Sequence, residues 1–259
     1  MAQSLPNTPS NVILTQPGFF LKRERHLEDD NWITKPLHLP PDIPVGLEVL
    51  HSVEELTITR NTSKGTICGG KLHYTLSGKH GKQVYAGVED PNCCCTFCCG
   101  PSRSYTIHLN NKWDKEMLRL VRPYRCDGEC TLCCCCPFAR MRLDIISGYD
   151  GRKIGSVTQK LSCFKNLFEA TSKSTGEKYK IMGNAFPCRC CMTFSFKIKT
   201  INDEDVGEIW KKRYNDKNPN ISSSHETFGV VFPSEASVDM KSTLIGAAFL
   251  VNHTYFEMS

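Results

Sequence analysis

Cysteine is where this sequence concentrates its chemistry. Sixteen of its 259 residues are cysteine, and most stand in runs. Cys93-Cys94-Cys95 and Cys98-Cys99 form one cluster. Cys126, Cys130 and Cys133-Cys134-Cys135-Cys136 form a second, and Cys188, Cys190 and Cys191 a third. Three chemistries use thiols at such density. Disulfides are disfavoured, because adjacent cysteines rarely bond one another. Zinc fits part of the pattern. Cys95-x-x-Cys98 and Cys130-x-x-Cys133 have the spacing at which two thiolates share one tetrahedral ion, and two such pairs make a four-cysteine site. A zinc site has no use for four cysteines in a row, however. Thioester acylation makes no geometric demand on neighbours, and two or more fatty chains turn marginal membrane binding into stable anchoring. Phe97, Leu132 and Phe138 beside the runs would dip into the bilayer interface. The leading expectation is palmitoylation of Cys133, Cys134, Cys135 and Cys136, and of Cys93, Cys94, Cys95, Cys98 and Cys99. Zinc at the paired positions is its competitor. Cys68 and Cys163 stand alone and read as core residues.

The setting follows from composition. The first twenty residues carry no basic segment followed by an apolar run, so a reducing, cytosolic environment is expected, where disulfides are rare. Position 2 is Ala2, which removes the glycine that myristoylation needs. The net charge of +5 suits weak attraction to an anionic membrane leaflet or to nucleic acid.

The elements that must carry the clusters are strands. Met192-Thr-Phe194-Ser-Phe196-Lys-Ile198 alternates apolar and polar, which in a strand separates a buried face from a wet one. Tyr105, Ile107 and Leu109 repeat the pattern, as do Met141, Leu143 and Ile145. Further strands are expected over 55–60, 71–77, 83–88, 116–121, 153–159, 164–170, 177–182, 206–211 and 227–232. Gly and Asn turn signals such as His80-Gly81 and Thr175-Gly176 separate many of them. About a dozen short strands with one-sided burial predict a mainly β fold, a closed antiparallel barrel. Each cysteine cluster falls between two strands.

The ends of the chain differ. Residues 1–45 hold Pro6, Pro9, Pro17, Pro36, Pro40, Pro41 and Pro44, and read as a disordered tail that does not build sheet. The folded domain is expected over 46–259. Leu244-Ile-Gly-Ala-Ala-Phe-Leu-Val251 is an unbroken apolar run, and the start signal Lys241-Ser242-Thr243 predicts a helix over 242–257. Leu244 to Phe256 makes roughly 20 Å of helix, against about 30 Å of bilayer core. A helix apolar nearly all round and too short to span belongs inside the barrel.

The words around the cysteines resemble the phospholipid scramblase family. Ala86-Gly-Val-Glu89-Asp90, followed by cysteines and Cys98-Cys99-Gly100-Pro101-Ser102-Arg103, is similar to the family's signature loop. Arg122-Pro-Tyr-Arg125-Cys126 leading to Cys133–Cys136 and Pro137 resembles its palmitoylated segment, although Phe138 and Ala139 replace the cysteines that follow the proline there. Pro44-Val-Gly46-Leu47-Glu48 and Phe228-Gly229-Val-Val-Phe232-Pro233 extend the likeness, which runs in order from about 41 to 258. It implies a tubby-like fold, twelve strands around a C-terminal helix. It also implies ATP-independent, bidirectional phospholipid movement across a bilayer, triggered by calcium, from the cytoplasmic face of the plasma membrane or another membrane.

The resemblance implies two more sites. Its EF-hand-like calcium loop maps onto Ser224, Glu226 and Glu235, with Gly229 at the sharp turn. Serine at the first position, and Phe228 at the fifth, leave two carboxylates and push Ca2+ affinity to the weak end, about 10⁻⁴–10⁻³ M. Its importin-binding segment maps onto Lys211, Lys212 and Arg213, implying a nuclear pool. Covalent catalysis has no motif behind it: the chain carries no GxSxG, HExxH or GKS/T. Two other functions compete with lipid translocation. One is a nuclear or nucleic-acid-associated regulatory factor using Lys211–Arg213 and Lys22-Arg23-Glu24-Arg25. The other is a Zn2+-stabilised interaction module.

Overall fold

The computed structural model describes residues 31–37, 39–41, 43–61, 71–91, 104–123, 140–162, 165–184, 193–212 and 225–256. Period-two alternation gives twelve strands. They are β1 Glu55–Asn61, β2 Leu72–Gly78, β3 Gln83–Pro91, β4 Tyr105–Asn110, β5 Glu116–Arg122, β6 Arg142–Ser147, β7 Lys153–Lys160, β8 Lys165–Ser172, β9 Lys178–Asn184, β10 Thr193–Lys199, β11 Asp205–Lys212 and β12 His225–Val231. Each pairs antiparallel with its sequence neighbour, and β1 pairs with β12 through Glu55↔Val231 to Asn61↔His225, which closes the barrel. Closure removes every sheet edge. Alternate residues such as Leu56 and Ile58, Leu118 and Leu120, and Leu143 and Ile145 are fully buried along the inner wall.

The barrel is filled by one helix, α1, Val238–Val251, continued by a π-helical turn over Asn252–Phe256. All fourteen residues of α1 are buried. The helix starts four residues before the expected 242. Ser237 caps it by accepting from the Met240 amide at 3.2 Å. The expected start signal lies inside the helix instead, where its polar groups find partners. Ser242 and Thr243 donate back to the Val238 and Asp239 carbonyls, each at 2.9 Å. Two glycines let the helix approach the wall. A Cβ on Gly246 would stand 2.7 Å from Leu143 Cδ2, and one on Gly155 would stand 2.2 Å from Thr243 Oγ1.

Residues ahead of the barrel also dock. A 3₁₀ turn over Glu48–Ser52 plugs the end at which α1 begins, with Leu47, Leu50 and Val53 buried. Trp32 forms an isolated parallel bridge with Gln83, and the Ile33 amide donates to the Gln83 carbonyl at 2.8 Å. So part of the proline-bearing stretch is tied to the start of β3 by one isolated bridge. Asn31–Ile33 lie between prolines and keep the amide donors that pairing requires.

Candidate functional site at the cysteine rim

Strand order decides where the thiols go. In an up-and-down barrel, alternate connections return to the same end. Six segments leave and rejoin one rim: 62–71, 92–104, 123–141, 161–164, 185–192 and 213–224. Together they contain all sixteen cysteines. The hairpin turns of the other rim, 79–82, 111–115, 148–152, 173–177 and 200–204, contain none. The acylation positions Cys93, Cys94, Cys95, Cys98, Cys99 and Cys133–Cys136 lie outside the described residues, as do Cys68 and Cys163. Among the described residues no helix is long and apolar enough to cross a membrane.

Beneath this rim the barrel interior turns polar. The inward parity of β3 runs through Tyr85 and Gly87 to Glu89, and Glu89 is 1% exposed. Helix α1 runs from the opposite rim toward this one, and its π-helical turn delivers His253 to Glu89. His253 Nε2 lies 3.1 Å from Glu89 Oε2, and the Tyr74 hydroxyl donates to the same oxygen at 2.8 Å. The Tyr105 ring stacks on His253 with centroids 4.3 Å apart, and buried Arg122 lies over Tyr105 at 5.8 Å. A carboxylate this deep is tolerated only when its oxygens are hydrogen-bonded. The pair is 164 residues apart in sequence, so no spacing motif announces it. One signal was readable: Asn252 and His253 break an otherwise apolar run.

On the outer wall, Lys71, Asp90, His108, Glu116 and Arg119 form a chain of polar contacts. Lys71 Nζ lies 3.1 Å from Asp90, His108 contacts Asp90 and Glu116 at 3.2 Å each, and Arg119 donates to Glu116 at 2.7 Å. The bond from Lys71 holds the Asp90 carboxyl below its ordinary value, and the bond from Arg119 does the same for Glu116.

Two expected sites lie only partly within the described residues. Glu226 is the second residue of β12, and Glu235 comes four residues after its end at Val231. Its five steps from Glu226 to Val231 span about 17 Å at roughly 3.3 Å each, and Glu235 follows beyond the opposite rim. Extended backbone cannot wrap an ion as a twelve-residue loop does. Ser224 lies outside the described residues. Strand alternation likewise separates the basic triplet. Lys211 is buried at 8% exposure, Lys212 is exposed, and Arg213 lies outside the described residues. Among the described residues no group of three His, Cys, Asp or Glu side chains is placed to hold a metal. The paired thiols proposed for zinc lie outside that set.

Comparison with known proteins agrees with the fold and the cysteine words. The family model described as Scramblase matches residues 33–258. The chain is 29% identical to phospholipid scramblase 2 of Bos taurus over 231 residues, covering 88% of this chain and 76% of the relative. It is 29% identical to phospholipid scramblase 1 of Homo sapiens over 229 residues, covering 87% and 70%. Phospholipid scramblase family member 5 of Homo sapiens is 29% identical over 224 residues, covering 84% and 79%. No solved structure matches the chain. A match over all but the first 32 residues and the last one, on a closed twelve-strand barrel around a buried helix, places this chain in the scramblase family.

Proposed function

We propose that this protein is a phospholipid scramblase held on a membrane by acyl chains on the cysteine rim. It translocates lipid and catalyses no covalent reaction. The observation that carries the anchoring is the placement of all sixteen cysteines in connections of one rim. Acyl chains attached there enter one bilayer together, and two or more give stable residence where one does not. Family membership supports the phospholipid substrate. Helix α1 fills the barrel, so the headgroup does not travel through the interior. It crosses at the bilayer beside the anchored rim, without ATP and in both directions. Glu226 lies at one end of β12 and Glu235 beyond the other, and this reading does not rest on calcium. The barrel works from the cytosolic leaflet. Nuclear import receives no support from the buried Lys211.

The test replaces Cys133, Cys134, Cys135 and Cys136 with serine. Wild type partitions with membranes and carries hydroxylamine-sensitive acyl groups. The quadruple variant leaves the membrane fraction and loses bilayer exchange of a fluorescent phospholipid in cells. A variant that still pellets like wild type sinks the anchor. Metal analysis of the purified protein separates the competing zinc reading, since a structural ion appears stoichiometrically and its chelation unfolds the domain.

A further inference from the structure

The rim opposite the cysteines carries features that acyl anchoring does not use. Trp113 is 74% exposed and Tyr149 is 58% exposed, each in a hairpin turn. The two turns are neighbours, because β5 pairs with β6. The Lys112 ammonium stands 4.4 Å from the centre of the Trp113 ring, and the Lys115 ammonium stands 4.9 Å from that of Tyr149. The Trp113 turn is firmly built. Asn111 Oδ1 accepts from the Trp113 amide at 3.0 Å and the Lys115 amide at 3.1 Å, while Asn110 donates to Asp114 at 2.8 Å. An ordered turn that holds an indole in water has an apolar surface ready for a partner.

Charge divides this rim into halves. The adjacent turns 79–82, 111–115 and 148–152 carry Lys79, Lys82, Lys112, Lys115 and Arg152 against Asp114 and Asp150. The other half, 173–177, 200–204 and 232–237, carries Lys173 against Glu177, Asp203, Glu204 and Glu235. The exposed Ile201 lies on the acidic half. Among the hairpin turns of this rim, exposed aromatic rings and a net positive charge therefore coincide in one sector.

We propose that the basic half of the hairpin rim, centred on Trp113, Tyr149, Lys112 and Lys115, is a docking face for an anionic phospholipid bilayer. Aromatic rings with a polar edge settle at the boundary between headgroups and acyl chains. The flanking ammonium groups meet the lipid charge. The rings sit on projecting turns, which can enter an interface but cannot line the groove that single-stranded nucleic acid occupies. The acidic half is repelled, so the barrel docks tilted, with Ile201 in water. The face lies at the opposite end of the barrel from the cysteines, so an acyl-anchored chain presents it to a second, apposed bilayer, and binding there does not depend on acylation.

The test uses the full chain made without acyl groups, mixed with vesicles of phosphatidylcholine alone or with about 30 mol% phosphatidylserine. Tryptophan emission shifts to the blue on anionic vesicles only, and lipids brominated in the acyl chain quench it. Trp113→Phe removes that response and assigns it to this residue. Each lysine near an anionic surface is worth about fivefold, so Lys112→Gln with Lys115→Gln weakens binding about 30-fold. Trp113→Ala weakens it about tenfold, and Ile201→Ala leaves it unchanged. These sites are exposed, and unfolding midpoints matching wild type confirm intact folds. Equal binding to neutral vesicles overturns the proposal. So does undiminished binding by the double lysine variant, or a Trp113 response to duplex DNA in place of vesicles.

Discussion

Lys241 offers the sharpest test of how the barrel is closed. It lies on the first turns of α1 and is 7% exposed. Its ammonium donates to the carbonyls of Leu50 and His51 at 3.1 Å each and of Val53 at 2.8 Å. It therefore ties the helix to the 3₁₀ plug, about 190 residues upstream. Lys241→Met keeps most of the stem and deletes the donor. The Leu50 carbonyl retains the Val53 amide at 3.2 Å, whereas the buried Val53 carbonyl loses this donor, at about 1–3 kcal/mol. Loss of two further charge-assisted bonds adds to this, and relief of the buried ammonium's desolvation subtracts. The net expectation is about 2–3 kcal/mol of destabilisation, or about 4–12 °C in Tm for a domain of this size. Urea unfolding should show a lower midpoint at unchanged slope.

Lys241 also makes a pH prediction. Burial lowers its pKa from the ordinary value of 10.5, and Glu54 opposes that. Between the lowered value and 10.5 the unfolded chain binds more protons than the folded one. Wild-type stability therefore rises with pH across that window, relative to Lys241→Met. A midpoint shift worth less than about 0.5 kcal/mol, or a gap that narrows with rising pH, refutes the reasoning.

Two further perturbations probe the interior. Gly246→Val places a side chain where even a Cβ would stand 2.7 Å from Leu143 Cδ2 and 2.9 Å from Ile145 Cγ1. Overpacking should cost about 1–3 kcal/mol in chemical denaturation, and an unchanged midpoint would show that the wall yields freely. Glu89→Leu leaves His253 and Tyr74 without the carboxylate that both contact, at about 3–5 kcal/mol. A double-mutant cycle with His253→Leu should recover about 1–3 kcal/mol of that. Additivity within about 0.5 kcal/mol would mean that the buried pair is not coupled.

Much of the architecture was legible along the chain, because its signals are local. Alternation of Tyr105, Ile107 and Leu109, or of Phe196 and Ile198, is a property of consecutive residues, and burial of one strand face follows from it. The apolar run of α1 was likewise too short to span a bilayer and too apolar to face water, so its place inside a barrel followed from its length. The cysteine runs announced thiol chemistry by spacing alone. What the chain could not announce were relations across the barrel. Strand order brought every cysteine-bearing connection to one rim. It also brought His253 to Glu89, and Lys115 to Tyr149. Tertiary context also overrode local pattern. The Lys241-Ser242-Thr243 start signal ended up inside the helix, and Lys211 turned inward beside its exposed neighbour Lys212. Alternation is short-ranged and survives any tertiary arrangement. Closure is a long-range event, and only it determines which polar groups share the dry interior and which chemistry shares a rim.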